Sequence, residues 1–177
     1  ATLASFSAWH LALAAGDEAR SFQRLEQREW RDVFSDPCTG DWTKNWFLDG
    51  DQAAVSVGKD GMTIDATGGY GVLWTKENFE CDLRIDYDFR RLDSQNKGVN
   101  ILYIQALGDG QGGHDEDITR WSQERADAAM SDYYNNMHTY HISYAAYGWT
   151  DGKEYVRGRR YMPLAGQGLK GTELTGN

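Results

Sequence analysis

Between Asn135 and Trp149 the chain reads NNMHTYHISYAAYGW, and at a period of two this run divides into two faces. Met137, Thr139, His141, Ser143 and Ala145 fall on one, and His138, Tyr140, Ile142 and Tyr144 on the other, which predicts a strand. The same period runs through ECDLRIDYDFRRL, the clearest strand pattern in the chain. Leu83, Ile85, Tyr87 and Phe89 would face inward there, with Asp82, Arg84, Asp86, Asp88 and Arg90 toward water. GVNILYIQA is almost continuously apolar and predicts a central strand buried on both faces. EYVRGRRYM alternates again, placing Tyr155, Arg157, Arg159 and Tyr161 on one face.

Shorter patterns fill in the rest. EWRDVFSD and GVLWTK predict brief strands, and AAVSVGKDGMTIDAT predicts a hairpin. In that hairpin Val55 and Val57 alternate with small or polar residues, KDG turns, and Met62 and Ile64 alternate on the return. A polar insertion, LGDGQGGHDEDITRWSQERADAAMSDYY, opens as a Gly-rich loop and continues as a short helix over DEDITRWSQERADAAM. Residues 1–29, which include ATLASFSAWHLALAAGDEA, read as an N-terminal helical segment or as the remnant of a secretory signal. Residues 30–177 form the second region. Antiparallel strands in succession, interrupted by one long insertion, predict an all-β jelly-roll β-sandwich. Such a sandwich normally closes with further strands after the last loop. The expectation is therefore a fold lacking its last strands, with sheet edges that another copy of the chain could complete as a homo-oligomer.

Composition narrows the function. A length of 177 residues suits one β domain, and a formal charge of −9 argues against nonspecific nucleic-acid binding. Nothing in the chain reads as a transmembrane span, so no membrane partner is expected. Seven Trp and ten Tyr supply flat apolar faces that either fill a core or stack on sugar rings. Cys38 and Cys81 match no metal-ligand spacing, and both a disulfide and two free thiols remain open.

The segments REWRDVFSDPCTGDW, GVLWTK, VNILYIQALGDG, NNMHTYHISYAAY and YVRGRRYMPLAGQGLKGTEL together resemble the YesU-like family, from about Arg28 to Glu173. That family is jelly-roll and concanavalin- or lectin-like, and it occurs among bacterial enzymes that dismantle pectin-like or ulvan-like polysaccharides. The resemblance implies an acidic oligosaccharide as partner and β-elimination or dehydration at a uronate as the reaction. It also implies a periplasmic or secreted location, with the cytoplasm as the alternative.

Such a reaction removes a weakly acidic proton beside a carboxylate. It needs the carboxylate neutralised, a positioned base, and an acid for the departing oxygen. His141, sharing with Thr139 and Ser143 a polar face suited to a concave groove, is the candidate base or acid, and Tyr103 or Tyr161 its counterpart. Tyr140, Ile142 and Tyr144, on the opposite face, read as core. An ordinary imidazole pKa near 6.5 suits that role, whereas a tyrosine base would need its pKa lowered by nearby arginine. Arg157 and Arg159 form an anion-binding stripe suited to a carboxylate. Gln105, on the face of Tyr103, would orient substrate, and Ser143, His138 and His114 complete the expected binding residues. His114 lies in GGHDEDITRW, read as a loop over the groove, and neither a metal nor a cofactor is expected. Two other function classes stay open: a non-catalytic carbohydrate-binding module, and a glycoside hydrolase using carboxylates among Asp115, Glu116, Asp117 and Glu124.

Overall fold

A computed structural model describes residues 20–80, 82–95, 97–148, 150–163 and 169. The expected signal remnant over residues 1–19, Cys81, Trp149 and most of the C-terminal tail lie outside the described residues. The chain divides into two compact units, Ala1–Ser35 and Asp36–Asn177.

In the first unit, residues 20–26 are helical, in keeping with the helical composition of EARSFQRLEQREW. The indole of Trp30 donates to the carbonyl of Leu25 at 3.1 Å, and the Arg28 guanidinium lies over the Trp30 ring. EWRDVFSD, expected as a strand, joins no sheet. Its apolar residues are too few and too exposed to offset the entropy of ordering a ladder, with Val33 left 53% exposed.

The second unit is built mostly from strands in antiparallel sheets, with few helices. β1 (Trp46–Asp49) pairs with β4 (Val72–Thr75), and β2 (Ala54–Gly58) pairs with β3 (Gly61–Asp65). β2 and β3 form the expected hairpin, with Val57 opposite Met62, Val55 opposite Ile64, and Gly61 at positive φ closing the turn. β5 (Asn100–Gly108), β6 (Met137–Tyr147) and β7 (Glu154–Tyr161) form a three-stranded sheet in that order. β6, the histidine strand, is therefore the central one. GVNILYIQA, expected in the centre, forms β5 at the edge of this sheet among the described residues.

The insertion folds as two helical pieces instead of one. Ile118–Arg125 forms 3₁₀ turns broken by a kink at Trp121 and begun by Asp117, whose carboxylate accepts from the Thr119 amide at 3.0 Å. A separate α-helix spans Met130–Asn136. The loop between β5 and these helices passes directly over Gly108. A Cβ there would sit 2.0 Å from the Asp115 carbonyl oxygen, so this position must lack a side chain.

These pieces meet in a cluster of Trp74, Trp121, Ala128, Tyr133, Met137 and Tyr161, with Phe47, Val72, Tyr103 and Leu169 packed against it. Within it lies a buried ion pair. Arg125 reaches Asp49 at 2.6 and 3.3 Å, and Asp49 also accepts from the Trp74 indole at 2.7 Å and the Tyr133 hydroxyl at 3.3 Å. The guanidinium donates in addition to the carbonyls of Ile118 and Trp121 and stacks on the Trp121 ring. One network thus ties β1, β4, the 3₁₀ helix and the α-helix together. No helix among the described residues is long and apolar enough to cross a membrane.

Candidate active site

The alternation of β6 holds from Met137 to Ser143 and then breaks at a bulge, where Ala145 takes a positive φ. Ala146 is buried there in place of Ala145, which the period of two puts on the His141 face. Up to that bulge the two faces exchange the roles the sequence suggests. Met137, Thr139, His141 and Ser143 are buried, whereas His138 is exposed and Tyr140, Ile142 and Tyr144 are only half-covered. The polar stripe read as a groove is thus packed against the core, and the aromatic stripe read as core is the more open face. The reason is what covers each side: the aromatic cluster, including Tyr103, Tyr161 and Tyr133, lies against the His141 face.

Strand register places the expected residues in rows. Tyr103 stands opposite His141, and Arg159 opposite His141 on its other side. In the next row Ser143 stands between Ile101 and Arg157. Tyr161 sits opposite Thr139, from where its hydroxyl contacts His141 Nδ1. Nε2 of the same ring lies 2.6 Å from Ser143 Oγ. Six residues singled out in the sequence, Tyr103, His141, Ser143, Arg157, Arg159 and Tyr161, therefore share one face of one sheet.

His141 Nδ1 faces the Tyr161 hydroxyl and Nε2 faces Ser143 Oγ, so the neutral imidazole donates to one hydroxyl and accepts from the other. With the Tyr161 proton directed at Nδ1, the imidazole proton sits on Nε2 and points to Ser143, and the chain runs from Tyr161 through His141 to Ser143.

Burial, followed by the charges of Arg159 and Arg157, depresses the His141 pKa to about 4. The ring is neutral at pH 7, well below the value near 6.5 assumed from sequence. Tyr161 moves the other way, pushed up to about 12, because burial outweighs the pull of Tyr103 and Arg159. Tyr103 is raised further still, chiefly by burial. Neither tyrosine is a ready phenolate, so arginine does not supply the tyrosine base that the sequence allowed. Both serve as proton donors in the resting state.

The other candidates lie elsewhere. A β-bulge interrupts the β5–β6 pairing between Ile104 and Leu107. Gln105 takes a positive φ there and is exposed, while Ala106 turns toward the core in its place. A strict period of two does not anticipate that. His138 pairs opposite Leu107 and is exposed on the far face. His114 lies in the insertion loop, 3.4 Å from Asp109 and 3.7 Å from Glu124, against the Trp121 ring. Among the described residues no three His, Cys, Asp or Glu side chains converge to hold a metal ion. Cys38 is a half-buried free thiol.

Sequence reasoning missed the support under the site. Tyr103, Trp74 and Tyr133 form a triangle of rings, with centroids 5.6 Å (Trp74–Tyr103), 5.5 Å (Tyr103–Tyr133) and 6.2 Å (Trp74–Tyr133) apart. Trp74 and Tyr133 in turn both donate to Asp49. Nothing in the sequence pattern marks Asp49 or Arg125 as partners. No family model, curated protein or solved structure matches this chain.

Proposed function

We propose that the protein is a carbon–oxygen lyase acting on uronate-containing oligosaccharides, within a jelly-roll β-sandwich of which the β5–β6–β7 sheet forms one wall. The observation that carries this reading is the row Tyr103–His141–Arg159, with Ser143 and Arg157 beside it and Tyr161 bonded to the imidazole. Two guanidinium groups, an uncharged imidazole and two phenols on a single face support the reading, as carboxylate clamp, base and proton donors. A uronate-degrading role in turn favours a periplasmic or secreted location.

The half-buried Arg157 and Arg159 would bind the uronate carboxylate and neutralise it, making the adjacent carbon-bound proton more acidic. Tyr161 would accept that proton while passing its own to His141 Nδ1. The C–H electron pair becomes the new C=C bond, and the C–O pair leaves with the oxygen. That oxygen takes a proton relayed from His141 Nε2 through Ser143. The imidazolium formed in between is repelled by both arginines, and the bound carboxylate offsets that repulsion.

A carbohydrate-binding module is the second reading, favoured by one observation. Tyr161 is 0% exposed and His141 and Ser143 are each only 2% exposed, so a ligand meets the arginines before it meets any of the proton-transfer groups. Incubation with uronate-terminated oligosaccharides, sulfated and unsulfated, separates the two. Elimination generates a conjugated unsaturated uronate, read by its ultraviolet absorbance. Binding without new absorbance or cleavage would sink the enzyme reading, and new reducing ends without absorbance would point to hydrolysis.

A further inference from the structure

Residues 82–90 carry the clearest strand pattern in the chain, yet they join no sheet among the described residues. Their alternation is nonetheless real in space. Arg84 Nε reaches Asp86 Oδ2 at 2.9 Å, so residues two apart share the charged face. Tyr87 and Phe89 both meet the ring of Tyr144 edge-on, at 6.2 and 5.1 Å. Even so, Ile85, Tyr87 and Phe89 remain 47, 51 and 44% exposed. An extended segment with an uncovered apolar side is a template for another strand.

We propose that a second copy of this chain supplies that strand, pairing residues 82–90 antiparallel about a two-fold axis at Asp86. The charge order selects this occupant. Turned end for end, the segment sets Asp82 opposite Arg90 and Arg84 opposite Asp88, with Leu83 opposite Phe89 and Ile85 opposite Tyr87. Each of these pairs occurs twice, as an isologous interface requires. The single like-charge contact is Asp86 with its symmetry mate, and each Asp86 is already held by Arg84 of its own chain.

Neighbouring registers are worse. Moving the axis to Ile85 pairs Arg84 with Asp86 and Glu80 with Arg90 but sets Asp82 against Asp88 twice, and moving it to Tyr87 sets Arg84 against Arg90 and Asp86 against Asp88. Charge therefore favours the register centred on Asp86, which has the fewest like-charge contacts of the three. This inference is independent of the His141 site and of the reaction assigned to it.

Sedimentation velocity on the whole chain across the micromolar range tests it. The wild type associates to a dimer. Arg84→Asp puts a second carboxylate opposite Asp88, and Asp88→Arg puts a second guanidinium opposite Arg84, so each weakens dimerisation by about tenfold or more. The double variant R84D/D88R restores the dimer. An equimolar mixture of the two single variants also restores it, as a heterodimer. Both positions are exposed, and circular dichroism verifies that each variant is folded. A wild type that stays monomeric throughout overturns the proposal. So does a dimer that the single swaps leave intact, or a double variant that fails to recover association.

Discussion

Arg159 stands directly opposite His141 across the β6–β7 ladder, and its charge, with that of Arg157, adds to burial in keeping the imidazole unprotonated. Two cations and a potential third group of the same sign share one packed face. The arrangement is electrostatically unfavourable for an imidazolium until an anion arrives. In the proposed reaction the substrate carboxylate is that anion.

The first expected outcome is therefore a titration. Imidazole resonances of His141, followed by NMR, should give a pKa of about 4 in the free protein. Arg159→Gln removes a positive neighbour, which favours the charged ring, so the midpoint should rise. It should still fall short of the ordinary value, because burial is the larger cause. Saturation with a uronate oligosaccharide should raise it as well. A midpoint that neither change moves would remove the arginines from the electrostatics of the site.

The same shift has a consequence for stability. The folded-state pKa of His141 is depressed, so between about pH 6.5 and 4 the unfolded chain binds a proton that the folded chain refuses. Its contribution is complete above the unfolded value and is lost as pH falls through that window. The slope approaches about 1.4 kcal/mol per pH unit. Urea unfolding at a series of pH values should show this loss, and His141→Gln should flatten it. An unchanged slope in that variant would assign the acid sensitivity to other groups.

Tyr161→Phe separates positioning from packing. The ring keeps its place in the core, but Nδ1 of the buried His141 loses its hydroxyl partner. Leaving such a buried group unsatisfied should cost about 1–3 kcal/mol. Elimination activity should fall by roughly 10²–10⁴-fold, the usual range for losing a positioned proton-transfer group. Ser143→Ala should slow the reaction as well, through departure of the oxygen, with less loss for substrates that carry a better leaving group. Equal losses for good and poor leaving groups would contradict the relay through Ser143.

Much of the site was legible because β6 and β7 obey their period of two wherever the rows matter. His141, Ser143, Arg157, Arg159 and Tyr161 could be assigned to faces from spacing alone, and register then joined them. Gln105 was misplaced because a bulge costs only one residue of period and leaves no mark in the sequence. Which face of β6 is buried was also misread. Polarity suggested an open groove, but the hydrogen-bonding capacity of His141 and Ser143 is met internally, and that compensates for their loss of water. The same limit applies to residues 82–92, where a strand pattern specifies conformation and not pairing. Asp49 and Arg125 were invisible for a related reason, since a charge in sequence looks the same whether solvated or buried against its partner.

That buried pair gives the sharpest test of what holds the unit together. Asp49 accepts bonds from Arg125, Trp74 and Tyr133, and Arg125 closes the ends of the 3₁₀ turns through two carbonyls. Removing one partner strands the other charge in an apolar core. Arg125→Met and Asp49→Leu should each lower stability by about 3–5 kcal/mol, measured by urea unfolding. The double variant removes both charges, so it should be less destabilised than the sum of the single changes. Because Tyr133 stacks on Tyr103, loss of Asp49 should also loosen the His141 row, visible as broadened imidazole resonances before global unfolding. Additive single effects with a sharp His141 signal would show that the ion pair and the site are energetically separate.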